Sequence, residues 1–213
     1  MANLREGVYG QYYGSYSGES EPLTQTEMEL NATYIYNTLA GINGWTINSV
    51  CALLGNMQAE STMNPGRWQS DNVGSTSNGY GLVQWTPSTN YTDWCSEKGF
   101  SDPSEMDNNL ARILYEVANG LQWIARDDYS LSFEEFTKSN ESIDYLAKAF
   151  LLCYERPADQ SESVQSYRSE LANSWYEYFG GVPPDTPTPS TKKKNKYNFI
   201  IYNARRRRET WIR

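Results

Sequence analysis

The sequence predicts an α+β fold that is predominantly α-helical, with a small β-hairpin lobe and flexible termini. Apolar residues recur at helical spacing in several segments between residues 24 and 175. Between the second and third of these segments, residues 64–81 are rich in turn formers, including Asn64-Pro65-Gly66 and Ser77-Asn78-Gly79. Such turns favour a short hairpin over a helix. The chain of 213 residues is long enough for one domain of ordinary size with flanking segments.

The first two helices have recognisable starts. Thr24 and Glu27 have the spacing of a capping box, and we expect the helix that follows to end at Gly41. The second helix begins at Thr46. The predicted apolar faces of the later helices are Met106, Leu110, Ile113 and Val117, then Ile143, Leu146, Phe150 and Tyr154, and finally Val164, Tyr167, Leu171 and Trp175.

Composition divides the chain into four parts. Residues 1–22 form a flexible segment rich in Gly, Tyr and Ser, residues 23–180 a folded domain, residues 181–191 a proline-rich linker and residues 192–213 a basic tail. Residues 1–180 hold 9 Lys and Arg against 24 Asp and Glu, whereas residues 181–213 hold 9 against 2. We expect the tail, which contains an apolar stretch at 197–202, to dock on a partner protein. The acidic body disfavours nucleic acid as that partner.

The absence of histidine is the most informative feature of the composition. It excludes Ser-His-Asp and Cys-His catalysis and zinc sites built from imidazole, so that carboxylates remain for acid–base work. We expect no metal and no cofactor. Three cysteines without a C-x-x-C pair predict buried free thiols, at Cys51 and Cys153 in particular.

No segment has the length of a membrane-spanning helix, and the N-terminus lacks a basic region followed by an apolar run. We therefore expect synthesis in a reducing cytoplasm without a signal peptide, and no membrane partner.

Glu60 is the leading candidate for chemistry. It lies three residues beyond Met57 and continues the apolar stripe of Val50 and Leu54 on the second helix. Burial and the negative end of the helix dipole both favour the protonated form of a carboxyl in this position. A carboxylic acid that keeps its proton can protonate a glycosidic oxygen. The alternative is an exposed glutamate at a frayed helix end.

Three segments carry a resemblance to a known family. Glu60-Ser61 and Gly81-Leu82-Val83-Gln84 resemble the lysozyme superfamily of goose-type lysozymes and lytic transglycosylases, in which a helix ends in Glu-Ser and a Gly-Leu-x-Gln segment returns to the cleft. Residues 54–65, 79–87 and 154–158 together resemble the phage tail lysozyme family more closely. The resemblance covers roughly residues 23–180.

The resemblance implies a lysozyme-like fold and a muramidase that cleaves between N-acetylmuramic acid and N-acetylglucosamine of bacterial peptidoglycan. In this scheme Glu60 is the general acid, Ser61 and Gln84 orient it or the sugar N-acetyl group, and Tyr154 lines the far side of the cleft. The protein would be carried in the tail of a phage virion, attached to virion proteins through its own C-terminal tail, and would act on the host cell wall.

Two alternatives stay open. Transglycosylases tend to have Ala-Tyr-Asn where this chain has Cys153-Tyr154-Glu155, so a lytic transglycosylase is disfavoured but not excluded. The other alternative is a structural virion component whose lysozyme fold only binds glycan.

A second carboxylate is harder to identify. Asp71, eleven residues after Glu60, is the candidate by position, although an Asp before Asn72 is also a common turn former. Glu155 is another candidate, although pairing with Arg156 explains it equally well. Trp68 and Tyr80 are expected to stack on sugar rings in the cleft, whereas Trp85 is expected in the core.

Overall fold

The structure, a computed structural model, describes residues 20–181 and the backbone of residues 3–7 and 10–14. This part of the chain is mostly helical, as the sequence predicts. Its α-helices are α1 (Gln25–Tyr36), α2 (Ile47–Ser61), α3 (Thr89–Glu97), α4 (Met106–Asn119), α5 (Phe133–Lys138), α6 (Ile143–Phe150) and α7 (Glu162–Tyr178). Two short strands, β1 (Asn3–Gly7) and β2 (Gly10–Gly14), pair antiparallel. The sequence patterns do not predict this hairpin.

The start of α1 is confirmed and its end is corrected. Thr24 accepts a hydrogen bond from the backbone of Glu27, and the Glu27 carboxylate accepts one from the backbone of Thr24. Beyond Tyr36 the chain continues as a π-helical turn, Asn37–Ile42, which contains Gly41. The left-handed residue that reverses the chain is Gly44 (φ +65°), three residues later than expected.

The predicted β-hairpin lobe is not shown. Residues 64–81 contain turns, a 3₁₀ helix at Gln69–Asp71 and isolated bridges that join Tyr80 to Trp68 and Trp85. Ser70 and Asp71 have left-handed φ values of 53° and 54°. Consecutive left-handed residues cannot continue a strand, so the turn-rich composition produces a compact loop instead of a paired ribbon.

Two helices were not predicted. Helix α3 buries only Tyr91, Trp94 and Cys95, and α5 is six residues long, so neither presents the repeated apolar spacing of a longer helix. A local signal did exist for α5, because Ser132 and Glu135 form a capping box.

Helix α2 lies at the centre of the domain, packed against α6 and α7. Residues 49–57 are all buried, and burial becomes partial only at residues 58–60. A helix that is buried on all sides is a core helix, and its last turn is where it reaches the surface. Glu60 therefore lies in the last turn of this core helix, where the helix becomes partly exposed.

The three cysteines are buried and unpaired, as expected of Cys51 and Cys153. Among the helices of the described residues, none is both long and apolar enough to cross a membrane. Order extends before Leu23, because the buried Ser20 accepts a hydrogen bond from the backbone of Trp68 (2.7 Å). The predicted linker beyond Gly181 and the basic tail 192–213, with its predicted docking role, lie outside the described residues.

Candidate active site

The end of α2 presents Glu60 at the edge of the core. Val50, Leu54 and Met57 are fully buried, and Glu60 continues their face of the helix with 19% of its side chain exposed. Helix α2 ends immediately afterwards, with Thr62 in the left-handed conformation. Glu60 is therefore enclosed on most sides while part of the side chain remains accessible.

Arg168 of α7 is the direct partner of Glu60. Its Nη2 donates to Glu60 Oε1 (2.5 Å), and its Nη1 donates to the backbone carbonyl of Asn56 (2.8 Å). Because only 9% of the Arg168 side chain is exposed, the ion pair is largely shielded from solvent. The carbonyl of Asn56 fixes the guanidinium and thereby fixes the position of the carboxylate.

Sequence patterns did not single out Arg168. The predicted apolar face of α7 was Val164, Tyr167, Leu171 and Trp175, but Tyr167 is 52% exposed and the buried positions include Arg168, Ala172 and Trp175. Charge could have indicated Arg168, because it is the only Lys or Arg between residues 162 and 178. A lone cation one turn from a small apolar residue such as Ala172 is a candidate partner for a buried carboxylate.

The close crossing of α2 and α7 positions this pair. A Cβ added at Gly55 would lie 2.6 Å from the backbone nitrogen of Ala172 and 2.8 Å from its Cα. Gly55 is five residues before Glu60, and Ala172 is four residues after Arg168. The glycine therefore allows the two helix backbones to approach until Arg168 reaches both Asn56 and Glu60.

We expect Gly55→Ala to destabilise the domain by about 1–3 kcal/mol, because the added methyl overpacks this crossing. The contact between Arg168 and Glu60 should also weaken, since α7 moves away from α2. Thermal melting measures the loss of stability. The double variant Gly55→Ala with Ala172→Gly tests the cause: it should not restore stability, because the clash is with backbone atoms. Full rescue would show that only the Ala172 methyl matters.

Ser61 and Gln84 organise the loop that faces α2. Ser61 is buried, and its hydroxyl donates to the carbonyl of Leu82 (2.8 Å), which ties the end of α2 to the Gly81–Gln84 segment. Gln84 has φ +50°, and its amide donates to the carbonyls of Arg67 (3.0 Å) and Gly81 (2.9 Å). Both side chains hold backbone in place, and neither makes a hydrogen bond to Glu60 among those of the described residues.

Tyr154 lies inside the core and not on a surface. It is 1% exposed, and its hydroxyl donates to Glu116 Oε2 (2.5 Å). Glu116 is fully buried and also accepts hydrogen bonds from Trp85 Nε1 (3.0 Å) and Arg112 Nε (2.7 Å). Trp85 is buried, as the sequence predicts. Glu116, which sequence patterns missed, thus connects the segment around residue 85 to the one around residue 154.

Glu155 follows Tyr154 in a π-helical turn, Leu151–Glu155. The residue as a whole is half-buried, but its Oε1 is fully enclosed and has no hydrogen-bond partner. Burial raises the pKa of Glu155 well above its usual range, and the nearby Glu60 carboxylate raises it further, while Arg168 acts in the opposite direction. The surroundings of Glu155 therefore favour its protonated form.

The buried carboxyls predict that stability falls as the pH rises above about 4.5, the ordinary pKa of a glutamate. Burial raises the pKa of both Glu116 and Glu155 above the ordinary value. The folded state therefore binds more protons than the unfolded state in this window, so each increment of pH favours unfolding. Melting temperature against pH measures the effect. Glu116→Gln should flatten the slope, and a melting temperature that rises with pH would contradict the prediction.

The other predicted residues lie in the loop that follows α2. The rings of Trp68 and Tyr80 are 4.2 Å apart, with Tyr80 buried and Trp68 half-buried. Asp71 is 69% exposed and pairs with Arg67 (2.6 Å). The structure thus brings Glu60, Ser61 and Gln84 to one end of α2. Asp71 instead lies on the surface, and Tyr154 lies in the core.

The chemistry that these groups support is acid–base catalysis. A partly accessible carboxyl, Glu60, is held by one guanidinium, and the surroundings of a second carboxyl, Glu155, favour its protonated form. Two carboxyls in unequal environments are the arrangement used by enzymes that protonate a leaving group.

Comparisons with known proteins identify relatives of this chain. A family model described as phage tail lysozyme matches residues 30–179. The chain is also similar to Morphogenesis protein 1 of Bacillus phage B103, with 47% identity over 159 residues, which is 75% of this chain and 42% of that protein. The chain thus spans less than half the length of this curated relative. Glu60, Glu155 and Arg168 all lie within residues 30–179, which the family model matches.

Proposed function

The chain belongs to the phage tail lysozyme family, and from this premise we propose that it is a muramidase that hydrolyses the bond between N-acetylmuramic acid and N-acetylglucosamine in bacterial peptidoglycan. Glu60 acts as the proton donor to the glycosidic oxygen. The observation that carries the proposal is the position of Glu60: a carboxyl at the last turn of a buried helix, partly accessible and fixed by Arg168.

The surroundings of Glu60 support this role. Ser61 ties the neighbouring Gly81–Gln84 loop to the end of α2, and Gln84 ties that loop to the carbonyls of Gly81 and Arg67, so that one wall of the site is rigid. Trp68 is half-buried in the following loop and offers part of its ring to a sugar. Catalysis by a positioned carboxyl requires such rigidity, because a small displacement of the proton donor costs much of the rate.

The test is product analysis by mass spectrometry of peptidoglycan digested with the purified protein. Hydrolysis adds one water to each cleaved strand, so the products should end in reducing N-acetylmuramic acid. Products that lack one water would identify a lytic transglycosylase. Undigested glycan, under conditions in which the protein is folded, would refute an enzymatic role.

The name of the curated relative favours a second candidate, a structural component of a phage particle. In that case the domain binds glycan without cleaving it. Probing purified virions with an antibody against residues 23–180 tests whether the chain is carried in the particle and in its tail. Binding of glycan with no cleavage by the wild-type protein would favour the structural role over the muramidase.

A further inference from the structure

Two buried polar atoms beside Glu60 lack a hydrogen-bond partner. One is Oε1 of Glu155 and the other is Nε of Arg168. Buried polar atoms are almost always hydrogen-bonded, so an unpartnered acceptor and an unpartnered donor at the same site require an explanation. A difference in protonation between two states of the site provides one.

In the structure, Arg168 forms its ion pair with Glu60. Its Nη2 donates to Glu60, and its Nη1 donates to the carbonyl of Asn56. Glu155 has no ion pair among the described residues, because the adjacent Arg156 donates instead to the carbonyls of Gln122 and Cys153. A buried carboxylate without a counterion is costly, so one guanidinium between two carboxyls favours ionisation of only one of them.

Four charged or titratable groups act on Glu155. Glu60 from α2 and Glu116 from α4 disfavour its ionisation, whereas Arg168 from α7 and Arg156 from its own turn favour it. Burial of Glu155 outweighs the two arginines and raises its pKa well above the usual range. The structure pairs Arg168 with Glu60, and the surroundings of Glu155 favour its protonated form.

We propose that Glu155 is the proton-carrying partner of Glu60: near neutral pH the two carboxyls hold one proton between them, and Arg168 pairs with whichever of them is ionised. The proposal rests on the proposed function, in which Glu60 delivers that proton. Glu155 is a positioning residue, since it acts on substrate only through Glu60.

The exchange between the two states is balanced. The O–H bond of Glu155 breaks, an O–H bond forms on Glu60, and the negative charge moves from Glu60 to Glu155. Arg168 then uses its Nε for Glu155 Oε1, so that the two unpartnered atoms satisfy each other. Glu60 is left with the proton that cleavage of a glycosidic bond requires.

The first test is the pH dependence of kcat/KM in Glu155→Gln. In the wild type the alkaline limb reports the second proton lost by the pair. Without Glu155 the remaining carboxyl faces Arg168 with no competing acid, so we expect the limb to move to lower pH by about one unit or more. Activity near pH 5 should stay within about tenfold of wild type. An unmoved limb, or an equal loss at every pH, would overturn the proposal. Glu170→Gln, an exposed change on α7, is the matched control and should move nothing.

The second test does not depend on activity. Infrared difference spectra at neutral pH should show the carbonyl band of a protonated carboxyl, which disappears in Glu155→Gln. The band should weaken in Glu60→Gln, because Glu155 then faces Arg168 without the competing Glu60 carboxylate. Should Glu155→Gln not fold, Glu155→Asp replaces it, and the band should change position. A spectrum with no band assigned to Glu155 would overturn the proposal even in an active enzyme, whereas the band without any cleavage would refute the proposed function alone.

Discussion

Replacing Glu60 by Gln is expected to lower the rate of peptidoglycan cleavage by a factor of about 10²–10⁴, the usual contribution of a positioned general acid. The amide has nearly the shape of the carboxyl but has no acidic proton to give. Its oxygen can still accept the hydrogen bond from Arg168 Nη2, so the crossing of α2 and α7 should survive. Clearing of purified cell walls and release of reducing ends measure the rate, and circular dichroism verifies the fold.

Two controls make this result specific. Glu170→Gln removes one negative charge from an exposed position of α7, two residues from Arg168, and should leave the rate unchanged. Arg168→Gln removes the partner instead of the acid and should lower the rate while the buried Asn56 carbonyl loses its donor. If Glu60→Gln clears walls as fast as wild type, Glu60 is not the proton donor and the muramidase proposal loses its catalytic residue.

The sequence predicts those features that depend on local spacing. The stripe of Val50, Leu54 and Met57 is fully buried, and Glu60 extends it, because neighbours on a helix face are separated by three or four residues. The family assignment is confirmed for the same reason, since its motifs are contiguous segments. The capping box at Thr24 is likewise a relation between residues three apart.

The partners of Glu60 depend on contacts that local spacing does not contain. Arg168 is 108 residues from Glu60, and the Tyr154 hydroxyl reaches Glu116 across 38 residues. The direction that each of these side chains faces depends on how α7 and α4 pack against the core. The predicted apolar face of α7 is rotated slightly from the observed one, because it includes the exposed Tyr167 and omits the buried Arg168. The ion pair between Arg168 and Glu60 was therefore not predicted.

The β-hairpin lobe predicted for residues 64–81 is not shown by the structure, for a different reason. Turn-forming residues indicate where the chain reverses, but they do not specify whether the segments on either side pair. Around Tyr80 the backbone makes only isolated bridges, and the loop is held by side chains such as Gln84 and Ser61. Side-chain hydrogen bonds of this kind compete with regular pairing and are not visible in composition.

Glu116→Ala is expected to be the most destabilising single change in the described part of the chain, at about 3–5 kcal/mol. The substitution leaves the half-buried Arg112 without its counterion and leaves Trp85 Nε1 and the Tyr154 hydroxyl without an acceptor. For a domain of this size the loss corresponds to roughly 10 °C in Tm. Urea denaturation and thermal melting measure it directly.

The same variant tests whether the buried network also maintains the site. Trp85 and Tyr154 are bound to one carboxylate, so its removal frees both the loop before Pro87 and the turn that carries Glu155. Activity should therefore fall even at temperatures well below the melting point. Glu177→Ala, an exposed glutamate on α7, is the control for loss of a surface charge and should melt within about 0.5 kcal/mol of wild type. A Glu116→Ala protein that melts like wild type would show that the three donors find other acceptors, and that burial of Glu116 is incidental to the fold.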